Sequence, residues 1–161
     1  MEVRPAQVEH AEAIRDIYNL EVTTSTATFD LVPRSLAEQR AWLMERTGAH
    51  AAVVAVEDEV VVGFGSLSPY RDRPAYTTTV EDSVYVRRDK RGRGVGQALL
   101  TELVRVARAS GFHGMMARIV DGHQASLALH ASLGFEVVGT ELEVGRKFNR
   151  WLDVVVMQRL L

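Results

Sequence analysis

The stretch Val84-Tyr85-Val86-Arg87-Arg88-Asp89-Lys90-Arg91-Gly92-Arg93-Gly94-Val95-Gly96-Gln97 decides how the chain folds. A β-branched and aromatic run ends at Val86, and a basic turn punctuated by glycine follows. Apolar residues then recur at helical spacing: Leu99, Leu100, Leu103, Val104 and Ala107. The pattern predicts strand, turn and helix in succession. Gly92, Gly94 and Gly96 carry no Cβ, so the backbone can turn sharply and let another molecule reach its N–H groups. Those amides fall at the first turn of a helix, where they lack internal partners and the dipole favours an anion. Arg91 and Arg93 add positive charge. A phosphate or pyrophosphate suits such a turn; a Gly-rich turn with solvated arginines is the competing reading. The spacing is not G-x-G-x-x-G, and no Lys followed by Ser or Thr completes a P-loop.

The 161 residues suit a single domain, 1–161, able to bury a core. Hydrophobic residues make up 47% and charged residues 25%, ordinary values for a soluble globular protein. A net charge of −2 gives no support to a nucleic-acid or membrane surface, so the Arg87–Arg93 cluster reads as a local site for a small polyanion. The absence of cysteine excludes disulfides, thiolate metal ligands and a Cys nucleophile. No signal peptide or long apolar span is visible, which points to the cytoplasm.

In chain order, Met1 to Pro5 reads as a short strand. Val8 to Glu21 reads as a helix whose apolar face is Ala11, Ile14, Ile17 and Tyr18. Val22 to Pro33 is polar, with Phe29 as its one large apolar side chain, either lining a pocket or covering core. Ser35-Leu36-Ala37-Glu38 is a capping box opening a helix to about Arg46. His50–Val56 and Glu59–Leu67 form a hairpin about Asp58. Tyr76–Val86 is a long strand, and the next helix runs from about Arg93 to a stop at Gly111. Gly114–Val120 is a strand, parallel to the previous one by the crossover rule. Gln124–Leu133 is a short helix ended by Gly134. Phe135–Gly139 and Trp151–Leu160 are closing strands, with Arg146, Lys147, Phe148 and Asn149 in the loop between. The order β-α-α-β-β-β-α-β-α-β-β predicts an α/β domain with a mixed sheet.

Two acids, Glu81 and Asp82, stand inside the long strand. Buried charge is costly unless paired or used, so one of them is a candidate acid or base. The alternative is an acid facing solvent and another paired with arginine, since period-2 alternation leaves at least one exposed. Arg71 and Arg73 flank Asp72 in the preceding loop; together they can grip a carboxylate, or simply be solvated. His123 and His130 lie around the short helix without Asp, Glu or Cys partners at ligand spacing, so no metal is expected. His130 is either a satisfied structural histidine or a catalytic acid.

Thr24–Phe29, Arg71–Tyr76, Thr79-Val80-Glu81 with Val84–Val86, Arg91–Gly96, Leu129–Phe135, and Gly145-Arg146-Lys147 with Trp151-Leu152-Asp153 occur in that order across nearly the whole chain. Together they resemble the phosphinothricin/methionine sulfoximine N-acetyltransferase branch of the GNAT superfamily; R-x-x-G-x-G alone marks only the superfamily. The resemblance implies a mixed, mostly antiparallel sheet with a splayed parallel pair and flanking helices. It implies acetyl transfer from acetyl-CoA to a primary amine by direct attack in a ternary complex, without a metal. Arg91, Gly92, Arg93, Gly94, Val95, Gly96 and Gln97 are then assigned to the pyrophosphate, and the main chain of Val84, Tyr85 and Val86 to the pantetheine arm. Ser132 is also placed among the cofactor contacts. Glu81 is implied as base and His130 as acid or thiolate stabiliser. Arg71 and Arg73 are implied to bind the substrate carboxylate, with Phe29, Tyr76, Asp72, Asp82 and Ser83 around them. Relatives have Asn where this chain has His123, so His123 or Gln124 must supply that contact to the cofactor. The branch is commonly homodimeric, with the Gly145–Trp151 loop near the partner's site. Another primary amine (a protein N-terminus, polyamine or aminoglycoside) and an acetyl-CoA-binding module without turnover remain alternatives.

Overall fold

Apolar residues at Ala11, Ile14, Ile17, Tyr18 and Val22 lie on one side of helix α1, Ala11–Thr24, which follows a single 3-10 turn at Val8–His10. Helix α2, Leu36–Glu45, starts as its capping box requires: Ser35 Oγ accepts from the Glu38 N–H at 3.1 Å, and Glu38 Oε1 accepts from the Ser35 N–H at 3.4 Å. Helices α3, Val95–Ala109, and α4, Gln124–Ser132, complete the set. Strands β1 (Glu2–Pro5), β2 (Ala52–Glu57), β3 (Val60–Pro69), β4 (Thr79–Val86), β5 (Gly114–Val120), β6 (Glu136–Lys147) and β7 (Arg150–Leu160) form one sheet in the order β1-β2-β3-β4-β5-β7-β6. This computed structural model describes residues 1–161. The β4–β5 pair is parallel and every other neighbouring pair is antiparallel.

Both faces of the sheet's first half are covered. Val53 and Ala55 pack with Leu99, Leu100, Leu103 and Ala107 of α3, whereas Val54 and Val56 pack with Ile14, Ile17 and Val22 of α1 and Leu43 of α2. Residues one apart thus enter different cores, which is why β2 and β3 read as unbroken apolar runs. Each of these aliphatic side chains contributes about 1.5–3 kcal/mol of transfer free energy when fully buried.

Several expected boundaries shift, among them α1, which runs Ala11–Thr24 and not Val8–Glu21. β4 begins at Thr79 rather than Tyr76, because Pro74–Tyr76 forms a 3-10 turn whose Pro74 carbonyl accepts the Thr77 N–H. α3 begins at Val95 rather than Arg93, because Gly94 precedes it with a left-handed φ of 83°. The expected loop between the closing strands is mostly strand: β6 continues to Lys147 and turns back through Phe148 and Asn149, at φ 51° and 59°. Two successive positive-φ residues give the tight hairpin turn whose twist suits antiparallel strands.

Gly63 and Gly65 on β3 let α3 lie close against the sheet. A Cβ on Gly65 would stand 2.9 Å from Leu103 Cδ1 and 3.2 Å from the Ser83 carbonyl oxygen. Gly65→Val is expected to lower stability by about 1–3 kcal/mol, the cost of overpacking. An unchanged urea midpoint would contradict this packing.

Candidate active site

β4 and β5 pair at Thr79↔Gly114, Val80↔Met115 and Glu81↔Met116, and then separate. β4 stays bonded to β3 as far as Val86↔Gly63, and β5 to β7 as far as Val120↔Val154. The edge of β4 beyond Glu81 therefore faces an opening instead of a strand. A groove of about 690 Å³ fills that opening, lined by Asp82–Val86, Ala117–Val120, the glycine turn and the start of α4.

At the outer end of the groove, no side chain caps α3, so the amides of Val95, Gly96 and Gln97 have neither a helical nor a side-chain acceptor. The turn is braced from α1. Glu21, 3% exposed, accepts from Arg88 Nε at 3.0 Å and from Arg91 Nη2 at 2.8 Å. Burial pushes the Glu21 carboxyl up, but the Arg88 bond and the Arg91 charge outweigh it and hold the group below the usual carboxylate range. Lys90 pairs with Glu57 and Arg87 with Asp89, while Arg93 makes no ion pair.

At the inner end, β4 alternates without a register shift. Val80, Val84 and Val86 belong to the α3 side and Tyr85 to the α1 side, which puts Asp82 with the former and Glu81 and Ser83 with the latter. The expectation that one of the two acids is exposed is wrong. Asp82 is 6% exposed and its Oδ1 lies 2.8 Å from His130 Nε2; Glu81 is half-buried. Alternation assigned the acids to opposite faces, but α4 covers Asp82 through His130, and Glu81 lies among Arg118, Arg71 and Glu141 and not in open solvent. His130 Nδ1 lies 2.8 Å from the Ser126 carbonyl oxygen, and Phe135 packs edge-on to the ring. Burial pushes the Glu81 carboxyl up, against the pull of Arg118 and Arg71. Burial alone would lower His130; the bond and charge from Asp82 outweigh it and raise the ring above the ordinary histidine value. Asp82 Oδ2 is buried without a hydrogen-bond partner.

Of the residues singled out in the sequence, Asp82, Ser83, Val84, Tyr85, Val86, Arg91, Gly92, Gly94, Val95, Gly96, Gln97, His123 and His130 line the groove. Phe29, Arg71, Asp72, Arg73, Tyr76, Glu81, Arg93 and Ser132 do not. Glu81 occupies the last paired position, at the fork itself. Ser132 instead donates its hydroxyl to the Leu129 carbonyl. His123 Nε2 lies 2.8 Å from Thr26 Oγ1, tying the segment after α1 to the start of α4. Phe29 lies over Gly145, where a Cβ would approach its ring to 2.3 Å, and buried Lys147 donates to the Thr28 carbonyl at 2.8 Å. Arg71 lies over the Tyr70 ring, and Tyr70 meets Tyr76 edge-on. Sequence reasoning missed Glu21 and Arg118. Glu21 continues the apolar stripe of α1 four residues after Ile17, and Arg118 interrupts an apolar strand; each is a lone charge in a buried pattern.

Comparison with known proteins gives a consistent picture. The Acetyltransferase (GNAT) family profile matches residues 13–135. An L-methionine sulfoximine/L-methionine sulfone acetyltransferase of Pseudomonas aeruginosa is 41% identical, covering 97% of this chain and 92% of that one. The crystal structure of a GNAT superfamily phosphinothricin acetyltransferase from Sinorhizobium meliloti in complex with AcCoA superposes with a TM-score of 0.95 at 40% identity, covering 99% and 88% of the two chains. A ribosomal-protein-alanine N-acetyltransferase from Brucella melitensis superposes with a TM-score of 0.98 at 38% identity, covering 100% of both.

The Glu21 ion pairs carry a pH signature. Because the folded carboxyl lies below its unfolded value, their contribution is complete above the unfolded value of about 4.3 and fades as pH falls through the folded one. Glu21→Gln should cost about 2 kcal/mol at neutral pH, the scale of charge-assisted hydrogen bonds to a buried carboxylate. The gap to the native protein, measured by urea denaturation, should narrow below about pH 4.3. A gap that stays constant to pH 3 would rule out the ion pairs as its source.

Proposed function

The chain belongs to the acetyltransferase (GNAT) family, and from that membership we propose that it is an acetyl-CoA-dependent N-acetyltransferase acting on the α-amine of a small amino acid or analogue, of the methionine sulfoximine or phosphinothricin type. The observation that carries the reading is the fork: a groove with open helix amides at its outer end, and the half-buried Glu81 carboxylate at the last paired position where the strands part. Residues 1–161 serve as one catalytic unit.

The residues present suit this co-substrate. The Val95–Gln97 amides, with Arg91 and Arg93, are cation and N–H donors for a pyrophosphate. The unpaired edge of β4 at Val84–Val86 suits the amides of a pantetheine arm, which bond to it as an added strand does. The orphaned Asp82 Oδ2 calls for a donor within the groove. Acetyl-CoA supplies an activated acetyl thioester; the chain positions the amine and moves its protons. At neutral pH an aliphatic ammonium has no lone pair for attack, so a base must first take its proton. Glu81 takes it, directly or through water, and its raised carboxyl value suits it to that step. Arg71 and Arg73 hold the substrate carboxylate, with Phe29, Tyr76, Asp72 and Ser83 around it. His123 takes the place of the usual asparagine beside the pantetheine arm. His130 lines the groove.

The apolar exposure of the β6–β7 hairpin supports a homodimer: Val137, Val138, Leu142, Val144, Phe148 and Trp151 are all exposed. No helix is long and apolar enough to cross a membrane. On this reading the enzyme works in the cytoplasm, where acetyl-CoA is available.

Purified protein given acetyl-CoA should release CoA thiol with methionine sulfoximine or phosphinothricin, and far less with the decarboxylated amines. Turnover confined to a peptide beginning with alanine would move the substrate to a protein N-terminus, and no turnover with any amine would leave a binding module. Glu81→Gln should keep acetyl-CoA affinity while lowering kcat about a hundredfold or more, with the loss shrinking as pH rises and free amine accumulates. Near-native kcat in this variant at neutral pH would remove Glu81 as the base.

A further inference from the structure

His130 sits between two groups that both accept. The Ser126 carbonyl oxygen faces Nδ1 at 2.8 Å, and Asp82 Oδ1 faces Nε2 at 2.8 Å. A carbonyl oxygen has no proton to give, so Nδ1 carries the hydrogen of that bond. A carboxylate likewise has none, so Nε2 carries one as well. The side chains are 4% and 1% exposed, which leaves no room for water to substitute in either bond. No other titratable group faces the ring. Phe135 packs edge-on, α3 approaches the same helix through Gly96 against Leu129, and β5 presents Ala117 and Ile119 to that core.

We propose that Asp82 is a positioning residue of this site, holding His130 with a proton on both ring nitrogens so that the ring cannot accept the proton of the incoming amine. The Nε2 proton can shift along its bond to Oδ1, but it then remains within the pair, and no ring lone pair opens to the groove. Proton acceptance is thereby left to Glu81 on the opposite face of β4.

This role in catalysis rests on the proposed acetyl transfer, whereas the protonation state belongs to the free protein and is measured there. In ¹⁵N-labelled full-length protein without ligand, histidine side-chain spectra at about pH 7, where a free imidazole is mostly neutral, should show His130 mainly protonated on both nitrogens. A bare nitrogen on His130 at that pH overturns the proposal without recourse to any variant. In Asp82→Asn the midpoint of His130 should drop from above about 6.5 to below it, because burial persists while the countercharge is gone and the amide can turn to donate to a bare Nε2. An unchanged midpoint in the folded variant also overturns it. In kinetics, Asp82→Asn should gain an ionisation of kcat below about pH 6.5 that the native enzyme lacks, and Asp82→Glu, which keeps the charge, should restore the native profile. Failure of the native protein to acetylate any amine would refute the functional reading, while the spectra still decide the state of the pair.

Discussion

The candidate site exists because two parallel strands cease to pair. β4 and β5 share three register positions and part after Glu81↔Met116, although both continue as strand for several residues. Strand edges left unpaired inside a fold are costly, because each buried amide without a partner forfeits about 1–3 kcal/mol. The fold maintains the split by anchoring each strand elsewhere. β4 stays zipped to β3, β5 stays zipped to β7, and α4, which follows β5, reaches back to β4 through His130 and Asp82. An extended ligand carrying its own amides is the natural completion of such an edge.

The same geometry separates two neighbouring acids into different environments. Alternation along an unbulged strand sends Glu81 toward Arg118 and Arg71 and Asp82 toward His130. Glu81 is half-buried with charges nearby, and burial wins, so its carboxyl titrates late for an acid. Asp82 is fully enclosed and matched by a single imidazole. A third acid, Glu21, acts at the far end of the groove. From α1 it fixes the arginines of the turn, leaving the amides of α3 oriented without a side-chain cap.

Much of this was legible in the residues, and the exceptions have physical causes. The Arg91–Gly96 spacing, the capping box at Ser35, the stops at Gly111 and Gly134 and the order of elements are local signals, and local chemistry decided them. Only the first part of β6 was expected, at Phe135–Gly139; its continuation to Lys147 is exposed along most of its length and has too few apolar residues to announce a strand. Glu21 and Arg118 escaped because a charge within an apolar stripe is explained only by what packs on it. The pair Glu81 and Asp82 was expected to leave one acid exposed, and neither is, since parity separates their directions while only the tertiary fold supplies α4 and His130.

The central claim, that the parted strands receive acetyl-CoA, is tested most directly by amide hydrogen exchange with and without that molecule. Binding should slow exchange at Val84–Val86 on the free edge of β4 and at Val95–Gln97 at the start of α3, with β1 and β2 unchanged. Binding that protects other segments while leaving these two as they were in the free protein would contradict the account.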